Sequence, residues 1–447
     1  MSSHSLFLFA IIFSCISIVA NNVRGTIPSE LSQVTSLEYI ESIQNPVSGT
    51  IPDGWQKLTA LRTVVIAFNE LTGTLPSWMA QSWPDMEFLY LSNNALTGSL
   101  PIEFLGFQRL SVLALDDNLL TGKTDVVLNS MPALEFAYLE DNNFSGTLPN
   151  LNSGANSALK ILDLSSNRLT GSLPDDIFQL NRLEILDLHS NRLTSSIPDN
   201  IPQDNFHLKF LALQNNALNG SIPSEIANLK KLSHLDLTRN QLTGMIPNDL
   251  ELLHESMNYL FLGANNYQEG PIPSFVYAMT QLRELSLKSS NRKGKISGII
   301  GALSSLVVLD LDDNALTGSI PKEIGMMTDL QFLLLNRNQL SFEVPGQELA
   351  KLKDLRFLLL DNNHVFGDLN PICILDALTS VYIDCGEIAC LEGCCTCCSD
   401  GSPCHDNLLI TSHDPVWETG YSRQFFDFTV EQEGSFATNG NDDYWQR

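Results

Sequence analysis

The chain has 447 residues, 43% apolar and 17% charged, a composition that supports a large core and argues against wholesale disorder. With 51 acidic against 25 basic residues the net charge is −26, which excludes nucleic acid as a general partner, because phosphate binding needs a basic face. Of the nine cysteines only Cys15 stands apart; the rest lie between Cys373 and Cys404.

The N-terminal segment 1–20 carries an apolar run from Leu6 to Ala20, broken only by Ser14 and Ser17. Three readings stay open. It is a secretion signal, with Ala20 ahead of the cleavage point, or a membrane anchor. It is the first repeat of a chain incomplete at this end. Or it is a retained segment that covers the first layer. The leading "MSSHS" lacks the Lys or Arg of a signal, and a run this short is marginal for a span of about 20 residues.

From residue 13 to 377 one pattern recurs, L-x-x-L-x-L-x-x-N-x-L-x-G-x-I-P. It is plain in "LKILDLSSNRLTGSLP" (159–174), "LSHLDLTRNQLTGMIP" (232–247) and "LVVLDLDDNALTGSIP" (306–321). About 15 copies follow each other at steps of 24 or 25 residues, and a weaker unit starts at Leu378. Alternation in x-L-x-L-x turns two leucines inward and makes a short strand. The Asn that follows, as at Asn94, Asn167, Asn240, Asn314 and Asn338, satisfies backbone groups that a buried turn would strand. The Gly, as at Gly171, allows backbone geometry closed to other residues. One repeat cannot bury its leucines alone, so the copies must stack. The fold class is therefore an α/β-type solenoid with a parallel sheet on its concave face.

The ending "LTGSIP" (316–321) resembles that of plant-type extracellular leucine-rich repeat proteins, which include polygalacturonase inhibitors and receptor ectodomains. The resemblance covers roughly residues 13–385. It implies a right-handed superhelix, an extracellular or cell-surface location through the secretory pathway, and a non-catalytic recognition role. The tail "CGEIACLEGCCTCC" (385–398) resembles the ends of leucine-rich repeat proteins from diatoms.

On the concave face the third position of each repeat carries Phe88 and Phe136, and the fifth carries Tyr90 and Tyr138. Val112 and Ala114 separate these two pairs, which stand about 10 Å apart across a shallow trough. Asp116, Asp117, Glu140, Asp141, Asp163, Asp187 and His189 continue the row. Aromatic contact with carboxylate selection suits a basic peptide, a basic protein surface or a polysaccharide. A calcium site at Asp116, Asp117, Glu140 and Asp141 is an alternative, without the loop of dedicated sites. The stretch "GANNYQEGPIP" (263–273) carries an extra residue. The next repeat puts Ser290 in the Asn slot, and Lys288, Arg292, Lys293 and Lys295 read there as a basic spot for an anionic partner or as an exposed turn. The sequons at Asn143 and Asn219 read as glycosylated turns.

The segment 378–404 reads as a cap stapled by disulfides among Cys373, Cys385, Cys390, Cys394, Cys395, Cys397, Cys398 and Cys404, with connectivity open. Zinc is the alternative, through Cys394/Cys397 and Cys395/Cys398 with His405 and His413. The acidic tail 405–447, with one strand-like stretch at "FFDFTV" (425–430), contains no apolar membrane helix and no kinase domain. No metal or cofactor is expected, and no catalytic motif is present. His189 and His234 lack a fixed nucleophile, and open concave carboxylates are expected to keep ordinary pKa values. Two roles remain: recognition of a protein, peptide or glycan as sensor, co-receptor or inhibitor, or structural adhesion in a wall or matrix.

Overall fold

The computed structural model describes residues 14–125, 131–149, 158–203, 207–384 and 386–398. The apolar segment before Ser14, Cys385, Cys404, the zinc candidates His405 and His413 and the acidic tail with its strand-like stretch lie outside the described residues.

The inward leucines build a single-file core. Leu89, Leu113, Ala137, Leu162, Leu186 and Leu211 are fully buried, each on a three-residue strand beside the next. These strands join a parallel 17-stranded sheet, running from Cys15–Val19 to Thr396–Cys398. Register is strict, since each repeat places the same position beside its neighbour: Phe88↔Val112, Val112↔Phe136, Phe136↔Ile161. Cys15–Val19 pairs with Tyr39–Ile43 in that same register, so the second half of the apolar opening segment forms the first layer of the sheet. Cys15 is exposed and free.

The ladder asparagines close each turn. Asn167 donates to the carbonyls of Leu139, Leu164 and Ser165 at 3.0, 3.2 and 2.9 Å, and accepts from the Phe144 N–H at 2.9 Å. The residue before the Asn sits in the left-handed region, as at Asp117 (φ 51°) and Asp141 (φ 50°), which Asp tolerates better than most residues. The chain then enters a second parallel sheet, nine strands in one stretch and five in another. The Gly slot there has positive φ: 80° at Gly171, where an added Cβ would meet the Thr147 methyl at 2.7 Å. Phe342 occupies the same slot at φ 78° and is exposed. The convex side is built mostly of short 3-10 turns after each Pro, as at Ile102–Gly106.

Two sequence expectations change. Asn143 and Asn219 lie on strands of the second sheet, Asn143–Thr147 and Ala217–Asn219, not on turns. The basic spot does not form as a free patch. Arg292 is buried and donates to the carbonyls of Ser290, Pro271 and Gln268, while the Ser290 hydroxyl in the ladder slot donates to the Leu287 carbonyl. Lys288 pairs with Asp312 at 3.2 Å and Lys293 with Glu269 at 2.9 Å.

Candidate ligand-binding face

The concave side carries a second apolar cluster, separate from the core. Val112, Phe136, Ile161, Ile185, Phe210 and Ala212 form it, with Phe88, Tyr90 and Tyr138 packed against its edge. All come from the third and fifth positions of neighbouring repeats, so strand register alone lines them up. The two aromatic pairs flank Val112 and Ala114 as the spacing implied, and those two small residues are buried as the floor of the trough. Lys160 Nζ lies 5.3 Å over the Phe136 ring, then pairs with Glu135 at 2.6 Å on the strand's outer edge.

The carboxylates follow the same rows. At the fifth position Asp163 and Asp187 are only 2% and 3% exposed. Asp163 accepts from the Ser165 N–H at 2.9 Å and hydroxyl at 2.7 Å. Asp187 accepts from the His189 N–H at 3.0 Å, with its carboxylate 2.6 Å from His189 Nδ1. These bonds turn the chain out of the strand, which is one reason for Asp there. At the seventh position Asp116 and Glu140 are half-buried, and Ser92 donates to Asp116. Asp117 and Asp141 are exposed at the rim.

The expectation of ordinary, solvated carboxylates fails. Burial, and then the Asp187 charge, push Asp163 up to about 8, with His189 opposing. Burial pushes Asp116 up to about 7, helped by the Asp117 charge. Burial raises Glu140 well above the usual range, followed by the Asp163 and Asp116 charges. The cause is geometric: on the inside of a curved sheet, neighbouring side chains crowd each other and exclude water. His234 shows the same effect. It is buried between Phe210, whose ring centroid is 3.9 Å away, and Tyr259 at 5.9 Å, and burial holds it well below the usual histidine range.

A second acidic group further along is compensated. Asp312 is fully buried between Lys288 and Arg337, with Arg337 Nε 2.8 Å from its Oδ1. Among the described residues no lysine or arginine pairs with Asp116, Glu140, Asp163 or Asp187. Nor do the carboxylates converge for calcium: among the described residues only the sulfurs of Cys373, Cys390, Cys394 and Cys395 lie within mutual reach of one ion, all within 4.8 Å. That quartet is not the zinc pairing expected from spacing, and it forms the disulfides Cys373–Cys394 and Cys390–Cys395. Cys397 and Cys398 are disulfide-bonded too.

Comparison with known proteins fits this architecture. One leucine-rich repeat family model matches residues 182–242, and another matches 85–107, 158–180 and 305–327. The fold is a leucine-rich repeat solenoid. Its solenoid is similar to that of PEPR1 in complex with AtPEP1, at 28% identity and TM-score 0.71, over 85% of this chain and 56% of that one. It is similar to the Arabidopsis receptor kinase HAESA in complex with the peptide hormone IDA and the co-receptor SERK1, at 29% identity and TM-score 0.69, over 83% and 66%. It is also similar to the Leptospira interrogans protein LIC12759, at 28% identity and TM-score 0.64, over 81% and 94%. The chain thus spans between half and two thirds of the two receptor chains. No curated protein sequence matches it. No helix among the described residues is long and apolar enough to cross a membrane.

Proposed function

We propose that this protein is a non-catalytic recognition module that binds a protein or peptide partner on its concave face. The contact centres on Phe88, Tyr90, Phe136 and Tyr138 and on the carboxylates beside them. The observation that carries this reading is the second apolar cluster: a continuous strip over six repeats with amphipathic aromatic edges, the composition of an interface hot spot. The similarity to HAESA, solved with a peptide hormone, supports a peptide or protein as the partner class.

The protein works outside the cell or at its surface. Clustered disulfides in the cap suit an oxidising compartment, and exposed Asn219 and half-buried Asn143 carry glycans there. The cap over the last leucine layers is the functional role of the cysteines.

The test is retention of a partner from native extracellular extract by immobilised protein. A partner held by the wild type should be lost on Tyr90→Ala with Tyr138→Ala. It should be kept on Phe332→Ala with Phe357→Ala, a stacked pair 5.1 Å apart further along the sheet. Equal retention by all three proteins would replace a localised site with adhesion spread along the solenoid.

A further inference from the structure

Among the described residues of the concave face, buried side-chain atoms of Glu140 (Oε2), Gln214 (Oε1), Glu284 (Oε2) and Asn336 (both amide atoms) lack a hydrogen-bond partner. A buried polar atom left unpaired is costly, and a partner that supplies its missing hydrogen bond removes that cost. Glu140 is the one that stands inside the proposed contact. It is flanked by Asp116 on the preceding repeat and Asp163 on the following one, and both charges act on it.

Every charged neighbour of this group is accounted for. Asp116 faces Asp117 and Asp141; Asp163 faces Asp187 and His189; Asp141 faces His189 and Asp187. Lys160 and Lys209 sit at the second position of their repeats and are held at 2.6 Å by Glu135 and Glu184, and Lys123 lies 4.0 Å from Asp125. The patch is thus short of positive charge, while the equivalent positions around Asp312 have Lys288 and Arg337. What the second group receives from the chain itself, the first must receive from outside.

Resting on the recognition reading above, we infer that the partner segment presents a guanidinium or ammonium group, which seats among Asp116, Glu140 and Asp163. The aromatic edges at Tyr90 and Tyr138 take the apolar flank of that segment. Because the raised carboxyls hold protons near neutrality, the cation must compete with them, and affinity rises with pH. A free carboxylate patch in water would show no such coupling.

The experiment selects peptides from a random linear display library on the full chain at pH 8. It then measures each by calorimetry at pH 6, pH 7 and pH 8, in two buffers of different ionisation enthalpy. The expected peptides carry Arg or Lys, bind at least tenfold more weakly at pH 6, and release protons on binding at pH 7. They lose at least tenfold on Glu140→Gln with Asp163→Asn, isosteric changes that keep the acceptor for Ser165. They keep their affinity on Glu103→Gln with Glu255→Gln, which removes two carboxyls from the 3-10 helical side. Cationic peptides that bind the two charge-removal variants equally would overturn the inference, because attraction to an acidic chain would then be diffuse. Neutral or acidic peptides that depend on Tyr90 and Tyr138, or cationic ones indifferent to pH, would overturn it while leaving the recognition reading intact. Peptides that depend on no concave residue would overturn both.

Discussion

Replacing Asp163 by Asn should stabilise the protein at pH 8 and do much less at pH 5. An Asp in an unfolded chain ionises near 4, whereas the folded environment lifts Asp163 to about 8. The folded chain therefore holds a proton that the unfolded chain has released, and stability declines as pH rises through that window and levels off above it. One proton held across one pH unit is worth about 1.4 kcal/mol, so the decline from pH 5 to pH 8 is at most about 4 kcal/mol. Asn keeps the oxygen that accepts from the Ser165 N–H and hydroxyl and does not titrate. Urea melts of both proteins at pH 5 and pH 8 read the difference directly. A variant with the same pH dependence as the wild type, or one less stable at pH 8, would refute the claim that this carboxyl is buried against its charge.

Asn167→Ala should cost about 2–4 kcal/mol, since it strands the Phe144 N–H and three carbonyl bonds; a loss under 1 kcal/mol in urea melts would show that water replaces the ladder. Phe342→Gly should gain about 1 kcal/mol by relieving a positive φ in an exposed aromatic, read as a raised Tm; an unchanged or lower Tm would mean that the ring contributes more than its backbone costs. A non-reduced digest should link Cys373 to Cys394 and Cys390 to Cys395; free thiols at these positions, or zinc in the native protein, would reopen the metal reading of the quartet.

Period and polarity made the architecture legible. Leucines at fixed steps specify strands, the Asn after them specifies the turn, and together they fix a register in which Phe88, Val112 and Phe136 must be neighbours. The aromatic trough could be read for that reason. What period does not encode is how far side chains on the inner arc shield one another. Asp163 and His234 occupy positions that point away from the core, yet curvature and bulky neighbours bury both. Arg292 was misread because its charge suggested solvent, while its slot, two residues past the replaced ladder Asn, left carbonyls in need of a donor. The cysteine quartet was illegible from spacing because Cys373 reaches it through the fold, 21 residues from its partner.

The most direct test of the central claim is amide hydrogen exchange on the full chain, with and without the partner recovered from native extract. The account predicts protection confined to the strands Phe88–Tyr90 through Phe210–Ala212 and the turns beside them. Protection on the second sheet or the 3-10 helical side, with those strands unchanged, would contradict it.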